Sequence, residues 1–420
     1  MKKNMRTPAI LTSSIALVSM SFTLASTGAG ASAKGSRTAH ATQCTTPLPT
    51  KLPSKVGAIP SLPKTLQDNY SGYPNIVSAS PYLHFKSKAK KPFTIGYSNS
   101  FSGNAWRAAA LKTLVDDVAA YKKDGIVKNL IVTDSNGNNT VQIQQMRSMI
   151  LQKVDVIIAI PGSADALNGV IEQAYKAGIP VVTVAAPVTT PDAINLDVNA
   201  YEAGANMATG LATILGGKGN IMTVEGISGT SGSATFKAGG YAVFARCPNI
   251  KVIADVSGQW SESVAKTAMI QALTTHPQVL NGVWQQGSMF MGITQALQQE
   301  GRSSMIPVTV GNPSQNSLAY WHQNLSKGYK TTGTANSPTG DMDASFRIAI
   351  RTLEGQGPKI ATIVVQPPVI TSANLAKWYQ PTYTVNSTGV GVPPANSWLP
   401  DSQMNGFFAH PATLPATPGK

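Results

Sequence analysis

From residue 93 onward the chain alternates short apolar, β-compatible runs with stretches of helical periodicity, and it does so twice in succession. The first series predicts strands at 93–97, 129–133, 154–160, 181–185 and 194–198, with helices near 104–122, 141–152 and 165–176 between them. Strands separated by helix-length segments pair in parallel, because such a crossover returns the chain to the same end of the sheet. A second series follows: helix 201–215, strand 220–224, helix 233–244, strand 252–256, helix 261–274, strand 282–286, helix 289–299 and strand 307–310. The expected class is therefore α/β, with two doubly wound parallel-sheet lobes that break near Asn199. Carboxyl strand ends facing one another would leave one cleft, the usual place for a small molecule.

The stretch FTIGYSNSFSGNAWR, from Phe93 to Arg107, carries the first such strand end. Asn104 is a natural N-cap, and Leu111, Leu114, Val115 and Val118 then fall on one helical face. The loop before and around that cap offers Phe101, Asn104, Trp106 and Arg107 to whatever sits at the sheet's edge. Trp260, in SGQW after the strand at 252–256, stands at another carboxyl end that should face the cleft. Trp321, Trp378 and Trp398 are expected to pack.

Charged residues make up 12% of the chain, but 33 Lys plus Arg against 19 Asp plus Glu leave a formal net charge of +14. That balance permits nucleic-acid or membrane-surface contact. The N-terminus points elsewhere. Lys2, Lys3 and Arg6 precede an apolar segment at 9–24 and then Ala31-Ser32-Ala33, the form of an export signal occupying 1–33. A retained membrane anchor is the alternative, against which stand the Thr and Ser residues that break the apolar run. An exported chain, periplasmic or on the cell surface, makes its two cysteines, Cys44 and Cys247, candidates for a disulfide, while Cys44 as a lipid-attachment site stays open. Residues 34–92, rich in Pro, Ser, Thr and Lys, read as an extended arm, and 371–420 as a C-terminal extension.

Catalytic patterns are sparse. Neither Ser228 nor Ser231 in GISGTSGS satisfies Gly-x-Ser-x-Gly, and no phosphate loop or GxGxxG is present. The five histidines, His40, His84, His276, His322 and His410, are isolated, and no acidic residues cluster at the expected strand ends. Neither a metal nor another cofactor is expected. An extracellular glycoside hydrolase remains the alternative from another class.

With Asn104-Ala105-Trp106 in the first loop, EGISGTSGSATFKAGGY from Glu225 to Tyr241, and TTHPQVLNGVWQQGSMFMGITQAL from Thr274 to Leu297, the chain resembles the type I periplasmic binding proteins, specifically the ribose-binding branch that serves ABC importers. The resemblance covers roughly residues 93–368. It implies a hinge crossed three times, a first lobe of 93–198 plus 337–365, and a second of 199–336 plus 366–370. It also implies a monomer that captures a sugar or similar polyhydroxylated ligand and delivers it to a membrane permease, binds no nucleic acid and performs no chemistry. A membrane sensor is the alternative recipient. Carried across residue by residue, the ligand set is Phe101, Asn104, Trp106, Arg107, Phe236, Trp260, Gln286, Asn312 and Asn336. Three departures remove the family's charged clamps: Ala185-Ala186-Pro187 stands where an Asp-Arg pair is usual, Phe236 where an Arg is, and Gly287-Ser288 where Asn-Asp is.

Overall fold

The computed structural model describes residues 43–49, 51–394 and 397–417, and the expected export signal lies outside them. Two parallel sheets organise the chain. The first has β1 (Phe93–Asn99), β2 (Val127–Asp134), β3 (Val156–Ile160), β4 (Val181–Val184), β5 (Ile194–Val198) and β10 (Thr362–Val365) in the order β10-β5-β4-β3-β1-β2. Strand order reverses between β1 and β3, so the crevice of this sheet opens at the end of β1. All five residues of β3 are buried, as a strand covered on both faces requires. Val156, Ile158 and Ile160 face one core with α1 (Ala105–Lys123), whereas Ile157 and Ala159 face the other with α2 (Asn139–Leu151) and α3 (Asn168–Lys176).

The same plan builds the second sheet. β6 (Lys218–Glu225) lies between β7 (Asn249–Ser257) and β8 (Gly282–Gln285). The expected strand at 307–310 is reduced to single parallel bridges, Val283 with Val308 and Val310 with Gly333. β9 (Gly333–Thr334) and β11 (Val369–Ile370) complete that edge as an antiparallel pair. Ile221 and Trp284 pack under α4 (Ala200–Ile214) and α5 (Ser231–Phe244), while Met222, Val224 and Val283 pack under α6 (Glu262–Thr275) and α7 (Phe290–Gln299). Two further helices, α8 (Gln315–Leu325) and α9 (Pro338–Leu353), went unread in the sequence. Local chemistry starts the helices where the chain leaves the strands: Asn104, Asn138, Asn199, Thr230, Ser261 and Ser337 each cap one with a side-chain oxygen.

The chain passes between the sheets at three places: from β5 into α4, from β9 into α9, and from β10 into β11. These passages form the hinge. Of residues 34–92, expected to be an extended arm, 51–92 instead pack onto it. Ile59, Leu66, Tyr70, Tyr73, Val77 and Tyr82 are buried in the core, and as apolar anchors without a regular period among Pro and Ser they leave no sign of it in the sequence. Lys91, near the end of this segment, pairs with Glu354 at 2.6 Å. The extension is packed as well, with Trp378, Trp398, Met404, Phe407 and Phe408 buried, and Trp321 is buried in the second lobe. Among the described residues no helix is long and apolar enough to cross a membrane.

Candidate functional site

At the end of β1 the loop is folded over itself by a polar network. Asn99 donates through Nδ2 to the Phe101 carbonyl at 2.8 Å and to Asp134 Oδ2 at 2.7 Å, and Ser102 donates to the same carboxylate. Arg107 Nη1 donates back to Asn99 Oδ1 at 2.8 Å and Ser100 Oγ at 3.1 Å. Its guanidinium lies 5.2 Å from the Phe101 ring and 5.9 Å from that of Trp106, so one cation spans both aromatics. Partial burial lowers the Arg107 pKa, against the pull of Tyr97 and Asp134. For Asp134 burial acts upward, but hydrogen bonds from Ser102, the Asn136 amide and Asn99, with the Arg107 charge, hold the carboxyl below its ordinary range.

Asn104 is consumed as a cap, accepting from the Arg107 amide at 2.9 Å. Trp106, in the first turn of α1, donates through Nε1 to the Asn336 carbonyl at 3.2 Å. That bond brings the first-lobe loop against the second hinge passage. There Asn336 Oδ1 is enclosed without a hydrogen-bond partner among the described residues, an unspent acceptor that a ligand hydroxyl could use. After β4, Ala185 takes a left-handed φ of 60°, and the Ala185-Ala186-Pro187 turn offers the cleft no charge.

The second lobe answers with Trp260. Gln259 and Trp260 both hold φ at 53°, an uncommon backbone for two consecutive non-glycine residues. The turn lays the indole across the ends of β6 and β8: a Cβ on Gly226 would stand 2.1 Å from the ring, and one on Gly287 2.7 Å from it. This explains the Gly287 departure, since the space of any side chain there is filled by Trp260. The ring stays 40% exposed. Asn312 is held through its backbone, its amide donating to the Gly287 carbonyl at 3.1 Å, and its half-buried side-chain amide makes no hydrogen bond among the described residues.

Two expected site residues are placed differently. Gln286 is fully buried and turned to its neighbours: Oε1 accepts from the Gly226 amide at 3.0 Å and Ser233 Oγ at 2.9 Å, and Nε2 donates to the Ser233 carbonyl at 3.1 Å. It positions the loop under Trp260. Phe236 packs 5.7 Å from the Trp284 ring, in the apolar cluster between α4 and α5. Asn99 and Asp134 were missed. β2 runs one residue past its expected end, which carries the Asp134 carboxylate to the strand's edge, and Glu225 ends β6 in the same way. Neither acid is free: Glu225 accepts from Ser228 at 2.6 Å and pairs with Lys237 at 3.2 Å, and Lys237 is shared with Asp255.

Known proteins share this architecture. The chain is 31% identical over 243 residues to a xylitol-binding protein of Mycolicibacterium smegmatis, spanning 57% of this chain and 68% of that one. It is 24% identical over 238 residues to the ribose import binding protein RbsB of Escherichia coli, spanning 54% and 80%. An ABC transporter solute binding protein from Thermobispora bispora superposes with a TM-score of 0.62 at 26% identity, covering 70% of this chain and 90% of that structure. Residues 95–357 match the periplasmic binding protein domain. With two doubly wound lobes, a hinge crossed three times and strand ends furnished with aromatic and amide side chains, this chain belongs to the periplasmic binding protein family.

Proposed function

We propose that this protein is an exported, monomeric solute-binding protein that encloses a neutral polyhydroxylated molecule, a sugar or a sugar alcohol, and presents it to an ABC permease without chemical change. The carrying observation is that each lobe ends a strand in exposed or half-buried aromatic rings beside an unspent side-chain amide: Phe101 and Trp106 with Asn336 on one, and Trp260 with Asn312 by way of Gly287 on the other. The C–H faces of a polyol pack on rings, and its hydroxyls need groups that both donate and accept, which an amide supplies. Names of relatives that specify xylitol and ribose support this class. The charged groups at the strand ends are already engaged: Arg107 with Asn99, Asp134 with Ser102 and Asn99, and Glu225 with Lys237. Those bonds fold the strand-end loops onto themselves and leave the neutral rings and amides to meet a ligand, which supports capture as the reading.

The test is a thermal-shift panel of pentoses, hexoses, pentitols, hexitols and inositols, followed by calorimetry and product analysis. A ligand that binds the native state alone raises the melting temperature by mass action. One polyol class should shift the transition and be recovered unchanged. A flat response across the panel, or consumption of an added glycoside, would refute the reading. Trp106→Ala should weaken binding of the identified ligand about tenfold while the far-ultraviolet spectrum is retained.

A further inference from the structure

Residues 43–92 and 371–417 lie outside the stretch matched to the family domain, and the described residues of each make contacts on both lobes. The N-terminal segment begins on the second lobe. Cys44 is bonded to Cys247 with Cα atoms 4.8 Å apart, Thr46 accepts from Arg246 at 2.9 Å, and Leu48 packs on the cluster between α4 and α5. It next crosses the hinge. Asn69 donates to the Val364 carbonyl at 2.9 Å, the Tyr70 hydroxyl donates to the Thr362 carbonyl at 2.7 Å, and Asn199 Nδ2 donates to the carbonyls of Asn69 and Ser71 at 2.9 and 2.8 Å. The Tyr73 hydroxyl donates to Asp197 at 2.8 Å. The segment then joins the first lobe, where Ala79 bridges Ile360 and the Tyr82 hydroxyl donates to the Asp192 carbonyl at 2.8 Å.

The C-terminal segment makes the same journey. On the second lobe Tyr379 stacks on His322 at 3.9 Å, and Val390 bridges Ser314. Trp398 then lies over Gly340 and donates to Asp341 at 3.0 Å, at the second hinge passage. On the first lobe Asp401 meets Arg347 and Arg351, Phe408 bridges Pro358, and the Tyr121 hydroxyl donates to the Pro415 carbonyl at 2.7 Å.

We infer that these segments are two restraining straps that limit how far the lobes separate, and that the Cys44–Cys247 disulfide makes the N-terminal strap act on the second lobe. Three passages let two lobes rotate about a narrow axis. Two more, fastened at both ends, convert part of that rotation into breakage of the bonds at Asn69, Tyr70, Tyr73 and Trp398. The ligand-free state then samples a narrower range of lobe separations, and capture requires less reorganisation.

The experiment uses the full chain without ligand, so it stands independently of which molecule is bound. Cys44→Ser/Cys247→Ser should raise the radius of gyration and maximum dimension in small-angle scattering and speed hydrogen exchange at Asn199 and Val364 about tenfold. A folded double variant, with its near-ultraviolet spectrum intact, whose scattering and exchange match the parent overturns the inference. If that variant fails to fold, Tyr73→Phe in the intact disulfide background decides: faster exchange at the same amides upholds the restraint, and unchanged exchange refutes it.

Discussion

Gly287 and Trp260 fill one volume between them, and neither can change alone. Gly287 has φ of 108°, a conformation disfavoured for a side-chain-bearing residue, and its missing Cβ is what lets the indole lie down. Gly287→Ala should therefore displace the ring and weaken polyol binding about tenfold by calorimetry, with a loss of stability near 1 kcal/mol from the strained backbone. Retained affinity would show that Trp260 is not a wall of the site. At this scale the sequence was readable where a residue's role is local. Asn104 as a cap and Trp106 and Trp260 beside strand ends follow from neighbours in the chain. The partners of Gln286 stand 53 and 60 residues away, and Phe236 meets Trp284 across the lobe's core, so their duties depend on which strands are adjacent.

Among the elements, α9 shows why a helix can escape a reading by period. Its sequence does carry a polar stripe of Asp341, Asp343, Arg347 and Arg351, but all four are buried, so the side that a periodic reading assigns to solvent is covered by other parts of the chain. Those charges are tolerated because other segments meet them: Arg347 donates to Asp343 at 2.8 Å and to the Leu399 carbonyl at 3.1 Å, and Asp401 accepts from both arginines. Asp401→Ala should cost about 3 kcal/mol in denaturant unfolding, since it takes from buried Arg351 its carboxylate partner, leaving it the Gln356 side chain, and from Arg347 one of its two. The neighbouring strand carries a pH dependence. Burial pushes the Asp197 carboxyl up to about 6, against the hydrogen bonds from Tyr73 and the Val198 amide. Tyr73, Tyr70 and Asp341 face it, and Asp341 is itself raised by burial. Between its unfolded pKa near 4 and about 6 the native state holds the extra proton. The stability Asp197 contributes is thus full below that window and lost as pH rises through 6. Asp197→Asn should flatten this part of the profile and gain roughly 3 kcal/mol at most over the parent between pH 4 and 7, read from unfolding at stepped pH. A parent and variant that run parallel would place the titration elsewhere.

Seen as a whole, the molecule is a family core inside two straps. Double winding is visible in its interior, where successive residues of β3 belong to opposite cores and the second sheet repeats the arrangement. That much the order of residues determined by itself: apolar runs too short for helices, spaced by helical periods, admit parallel sheets and little else. The strand ends, and with them Trp106 and Trp260, came along because a strand end is a position in sequence as much as in space. Tertiary structure alone decided the rest. It turned an apparent arm into a packed strap, spent Arg107, Glu225 and Gln286 on neighbours, left Asn336 with an acceptor unspent, and filled the place of a side chain at Gly287 with an indole. Each outcome depends on which distant groups share a volume, and apolar anchors without a period, or polar groups whose partners lie a hundred residues away, leave no local trace of that choice.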